Sequence, residues 1–160
     1  VGTALITVVG QSVGAGAYDE ARRYTVKLIK YAYLFMAFLN TAIILMAGPI
    51  VGMYQVSAEA SGMAKQIVIF HSVCAALLWP VAFSLPNVLR ASFDAPYTMV
   101  VSIGSMWIFR VGFSYLLGLY FEMGLFGVWA AMAVDWLFRS ICFVYRVKSG
   151  KYLRKVKEMG

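Results

Sequence analysis

Four stretches of this 160-residue chain, 31–54, 67–89, 97–120 and 125–145, are almost unbroken runs of apolar residues. Each matches or exceeds the roughly 20 residues a helix needs to cross a hydrocarbon layer about 30 Å thick. None alternates polar and apolar residues as a half-buried strand does, and a lone strand in lipid would leave its backbone groups unsatisfied. The runs therefore predict an all-α fold, a polytopic transmembrane helix bundle with four full spans. Composition agrees: 62% of the residues are hydrophobic and 13% charged, against about 45–50% apolar and about 25% charged in an average soluble domain. A soluble fold of this length has too little interior to hide so much apolar surface.

The opening segment, 1–16, is apolar through Val13 but too short to cross, and Gly10, Gly14 and Gly16 punctuate it before the charged stretch 19–30. It reads as the end of a truncated fifth helix followed by a loop, with a re-entrant segment as the alternative. Val1 is not an initiator methionine and no cleavable leader is visible, so the chain reads as part of something longer.

Charge position decides orientation and excludes one partner class. Arg22, Arg23, Lys27 and Lys30 precede the first span, Arg90 lies between the second and third, and Arg146, Lys148, Lys151, Arg154, Lys155 and Lys157 follow the fourth; the opposite side carries Lys65. This asymmetry predicts a cytoplasmic C-terminus, with Tyr31, Tyr54, Tyr97, Tyr120 and Tyr145 near the interfaces. Basic residues confined to short connections do not form the aromatic-interleaved stripe of a nucleic-acid binder, so no nucleic-acid partner is expected. The basic tail 146–160 reads as a topology anchor, or as a site for anionic membrane lipids. Cys74 and Cys142 lie inside apolar runs, which fits neither a disulfide framework nor a zinc site.

Three ionisable residues sit deep inside spans: Arg110, Asp135 and Arg139. Each costs about 2.5–3.5 kcal/mol at mid-bilayer, so partners are expected. The last two spans form a hairpin whose turn centres between Glu122 and Met123, which places Arg110 and Asp135 at similar depth. Asp135 and Arg139 are four residues apart and share a helix face. The prediction is one Arg110–Asp135–Arg139 cluster facing protein, either a static pair fixing packing or an ion relay. In the second span Pro80 and Pro86 remove amide donors and predict a bend, as a tolerated kink or a transport pivot. Trp79, Phe83 and Asn87 flank it, as ordinary packing or a substrate path. His71 lies toward the outer end of that span, either a proton-sensitive group or a wetted residue near the mouth. The run Gly10-Gln11-Ser12-Val13-Gly14-Ala15-Gly16 lacks the Lys-Ser/Thr of a P-loop and the Rossmann spacing, and no paired carboxylates, metal cluster or nucleophilic set shares a face. No catalytic residue, cofactor or metal is predicted.

Four stretches in order resemble the C-terminal half of the multidrug and toxic compound extrusion family. They are Val9-Gly10-Gln11-Ser12-Val13-Gly14-Ala15-Gly16 with Ala21-Arg22-Arg23; Leu89-Arg90-Ala91 with Asp94; Ser105-Met106-Trp107-Ile108-Phe109-Arg110 with Tyr115-Leu116-Leu117-Gly118; and Gly127-Val128-Trp129-Ala130-Ala131-Met132 with Asp135-Trp136 and Arg139. The resemblance implies a twelve-helix, two-lobe transporter whose N-terminal half is a partner outside this sequence. It also implies efflux of cationic or amphipathic drugs or metabolites by sodium- or proton-coupled antiport. One departure stands out: some branches place a cation-binding acidic residue in the span that here holds Trp79 and Pro80, and residues 67–89 contain none. The alternatives are a lipid-linked sugar flippase of the same superfamily and a small four-span scaffold protein without transport.

Overall fold

The computed structural model describes residues 1–54, 57–122 and 124–159. Its elements are six helices: α1, Gly2–Gly14; α2, Tyr18–Gly52; α3, Ala58–Ala91; α4, Ala95–Ser105, running on through wide π turns at Met106–Phe113 and Leu116–Tyr120; α5, Gly124–Lys148; and α6, Lys151–Met159. Four of them are long and apolar enough to cross a membrane: α2, α3, the stretch Ala95–Tyr120, and α5. The protein is an all-α transmembrane bundle.

The helices extend beyond the apolar runs because hydropathy measures compatibility with lipid, not the ability to be helical. The stretch 19–30, expected as a loop, is the first third of α2, with Asp19 and Glu20 in its opening turn where the helix dipole favours anions. α3 begins at Ala58 rather than 67, with the Ser57 hydroxyl accepting from the Ala60 amide at 3.3 Å and Glu59 in the first turn. Glu59 is thus an acidic residue of that helix, though at its extreme end. The connection between α1 and α2 is tight: the Ala17 and Gly16 amides bond the Ser12 and Val13 carbonyls at 2.8 and 3.1 Å, with Gly16 at φ +72°. That is a Schellman turn, and the left-handed position explains a glycine at 16.

α3 is the hub, packing on α1, α2, α4 and α5. Leu5, Val9 and Val13 recur every fourth residue along α1 and form one core with Ala21, Leu85, Val88, Leu89, Phe143 and Tyr152. Tyr152 corrects the reading of 146–160 as a plain tail. Residues 151–159 form a helix, and this ring is 1% exposed in the core where α1, α2, α3 and α5 meet. Burial pushes its hydroxyl above the usual 10, while the positive charge of Arg22 acts in the opposite sense. The side chains of Lys155 and Lys157 lie outside the described ones. Large apolar residues such as Leu34, Phe38, Leu45 and Leu119 point outward, as a lipid-facing surface requires.

Candidate functional site

α5 carries Asp135 and Arg139 one turn apart, and the structure brings them together. Arg139 Nε donates to Asp135 Oδ1 at 3.0 Å and to Ser105 Oγ at 2.8 Å, and Arg139 Nη2 donates to the Ser102 carbonyl at 3.1 Å. The guanidinium is thereby anchored to α4 as well as to its own helix. The other carboxylate oxygen, Asp135 Oδ2, is buried with no hydrogen-bond partner, and Asp135 as a whole is 0% exposed. A buried acceptor left in this way loses its solvation without compensation.

Arg110 is not part of this group, which corrects the three-residue cluster. It is exposed, and its Nη2 lies 3.3 Å from Met132 Sδ. Two observations separate it from Asp135. Ser105 meets Arg139 close to the expected register, yet Arg110 meets Met132, about a turn nearer the connection than Asp135. The wide turns from Met106 onward also change the face each residue presents: their bonds reach back five residues, as from the Phe121 amide to the Leu116 carbonyl at 3.1 Å. Met123, half of the expected turn midpoint, lies outside the described residues. Gly127 lets the hairpin close: a Cβ there would stand 2.8 Å from the Leu117 carbonyl carbon and oxygen.

Asp135 is succeeded on α5 by an aromatic layer. His71 is held edge-on between Trp129 and Trp136, with ring centroids 5.0 and 5.5 Å away, and Phe83 meets Trp136 at 5.8 Å. His71 Nδ1 and Trp136 Nε1 are both buried without a hydrogen-bond partner. His71 is half-buried, with its Nδ1 packed against the indoles, thirteen residues into α3 and about 20 Å along its axis. Trp79 stacks on Phe83 at 5.2 Å, and both line a recess of about 190 Å³ shared with Asn87, Met36 and Gly2. Asn87 Nδ2 donates to the Phe83 carbonyl at 3.3 Å.

Pro80 and Pro86 are buried within an α3 that stays helical from end to end. Neighbouring helices satisfy carbonyls near the first of them: Tyr33 of α2 donates to the Leu77 oxygen at 3.0 Å and Ser140 of α5 to the Leu78 oxygen at 3.4 Å. Of the glycine-rich run, Gly10 lies against Ala91 (3.9 Å to its Cβ from an added Cβ), Gln11 is exposed, Gly14 has open space, and Gly16 closes the turn. The run thus forms a helix end, not a phosphate cradle.

A second ion pair escaped the sequence reading. Arg146 Nε and Nη2 meet Asp94 Oδ2 and Oδ1 at 2.7 and 3.2 Å, a two-pronged bridge across 52 residues. The guanidinium also lies 4.6 Å from the centre of the Tyr97 ring, whose hydroxyl donates to the Cys142 carbonyl at 3.2 Å. The turn that aims Asp94 inward places Phe93 at φ +58°. Among the described residues no group of three or more His, Cys, Asp and Glu side chains is placed to hold a metal ion.

A family model described as MatE matches residues 1–116. The chain is 30% identical over 146 residues to a probable multidrug resistance protein NorM of Bacillus subtilis, covering 87% of this chain and 32% of that protein. It is 26% identical to the NorM relative of Bacillus licheniformis, over 92% of this chain and 32% of the relative. It is 24% identical to the uncharacterized transporter YisQ of Bacillus subtilis, with the same two coverages. The chain spans about a third of the length of the curated relatives it matches. No solved structure matches.

Proposed function

This chain belongs to the MatE family, and on that premise we propose that it supplies much of one lobe of an exporter. The protein would be a transporter, not an enzyme, of the bacterial plasma membrane, with its C-terminus in the cytoplasm. It would expel drugs, as its relatives' name of probable multidrug resistance protein suggests, and the family resemblance extends this to cationic or amphipathic compounds and metabolites. The observation that carries a coupling role is Asp135: buried inside a span, one oxygen held by Arg139 and the other unpartnered. Ionisable groups at membrane depth mark ion and proton pathways. A proton needs a single acceptor, which Asp135 Oδ2 supplies, whereas a metal cation needs several oxygen ligands at once, and the nearby Ser105 hydroxyl is already committed to Arg139. A proton is therefore the better-suited occupant, and the reading assigns coupling to a proton rather than sodium. Trp79, Phe83 and Asn87 supply an aromatic recess suited to part of an amphipathic cation. The recess around Trp79 and Phe83 holds no charged side chain, which favours this reading over a sugar-lipid flippase.

The test is accumulation of a fluorescent cationic dye by an efflux-deficient bacterium expressing the full-length gene. Wild type should lower accumulation at an inward proton gradient, with no requirement for sodium. Asp135→Asn should reach the membrane at wild-type level yet lose efflux at least tenfold. Efflux retained by Asp135→Asn would reduce the pair to a packing element, and no efflux by wild type would remove the support for dye export.

A further inference from the structure

Between α2, α3 and α5 runs an open groove of about 420 Å³, lined by none of the residues to which the function above is assigned. Its walls are Leu77 and Val81 from α3 and Ile141 and Val144 from α5. The polar groups on its floor are already engaged, since the Tyr33 and Ser140 hydroxyls donate to the Leu77 and Leu78 carbonyls. A ligand in the body of the groove thus meets carbon and finds no free hydrogen-bonding group there. At one end the character changes. Lys148 lines the mouth, and Lys151 Nζ lies 5.9 Å from the ring centre of Tyr145, which also lines it. Both lysines are exposed, and no carboxylate lines the groove. From Lys148 back to Ile141 the α5 wall runs about 10 Å into the bundle.

An apolar furrow along membrane-spanning helices, with two ammonium groups at the end where the helices leave the apolar layer, matches a molecule with a hydrocarbon body and an anionic head at the interface. We propose that the groove binds an anionic phospholipid, its acyl chain against Leu77, Val81, Ile141 and Val144 and its phosphate held by Lys148 and Lys151. A cationic export substrate fits poorly, because the two lysines repel it. The site does not depend on the export reading, since lipid retention involves no transport step.

The full-length protein, purified in neutral detergent, is titrated with dioleoyl phosphatidylglycerol or dioleoyl phosphatidylcholine and bound lipid is counted by native mass spectrometry. Wild type should prefer the anionic lipid, and Lys148→Gln/Lys151→Gln should lose that preference, about thirtyfold in affinity. Arg23→Gln/Lys27→Gln, which removes two charges from a separate open recess on α2, should bind as wild type does. Ile141→Trp, which fills the groove and leaves both lysines in place, should weaken both lipids. Equal losses in the two charge variants would show diffuse surface attraction and overturn the site, as would unchanged binding in Lys148→Gln/Lys151→Gln or in Ile141→Trp. Displacement by equimolar glycerol 1-phosphate would show a headgroup-only anion site and would equally overturn it. So would a wild type that takes up neither lipid. In that case, protection of an Ile141→Cys thiol from maleimide would identify protein, a further stretch of the chain or a second copy, as the occupant.

Discussion

Asp94–Arg146 and Asp135–Arg139 are ion pairs of the same composition in opposite circumstances. The first joins α5 to the turn before α4, uses both carboxylate oxygens and both prongs of the guanidinium, and sits at an end of the bundle. The second lies within one helix at membrane depth, uses one oxygen, and leaves the other without a partner. A pair whose acceptors are all engaged acts as a fastener. A half-satisfied one keeps a desolvated acceptor open to a further partner. The two pairs differ in how many hydrogen bonds the carboxylate completes, not in its burial.

The strongest way to break that contrast is Asp94→Ala. It strands a partly buried guanidinium and is expected to remove about 3 kcal/mol of stability from the full-length protein, read by thermal unfolding in detergent. If it unfolds no more easily than wild type, Asp94–Arg146 is not the fastener. Gly127→Ala attacks the support of the deeper pair: the added methyl meets the Leu117 backbone, and pushing the hairpin apart should cost about 2 kcal/mol. A Gly127→Ala protein as stable as wild type would show that the hairpin separates without cost. Asp135→Asn keeps the size of the side chain and an acceptor for Arg139 but removes the counter-charge of a buried guanidinium, so it should cost about 1–2 kcal/mol while losing efflux; a loss as large as that of Asp94→Ala would make the two pairs alike. Ser105→Ala removes one of the bonds to Arg139 and should cost about 1 kcal/mol, with efflux retained. Arg110→Gln, at an exposed site against Met132, should change stability by less than about 0.5 kcal/mol.

What the sequence discloses follows the range of the physics. The spans are legible because lipid demands unbroken apolar runs, and Asp135–Arg139 is legible because four residues on a helix is a local relation. Arg110 was misplaced because matching distances from a turn give depth but not direction, and nothing in Met106–Phe113 announces a helix wound more widely than usual. Asp94–Arg146 could not be read at all: it depends on Phe93 adopting a left-handed turn and on α5 continuing to Lys148, past the end of its apolar run. The charged opening of α2 is hidden from hydropathy because its residues are incompatible with lipid, although Asp19 and Glu20 open a sound helix.

The seat of Tyr152 has a consequence for the order in which the molecule is made. The other helices whose fully buried residues share its core, α1, α2, α3 and α5, all precede Tyr152 in the chain, so during translation they assemble around a gap the size of a phenol ring. The gap closes only when the segment beyond Gly150 has left the ribosome. Until then the bundle resembles a cavity mutant and is open to the proteases that cull loosely packed chains. A nascent protein halted at Ser149 would be inserted in full yet short-lived, and completing a few more residues would extend its lifetime without adding a single span.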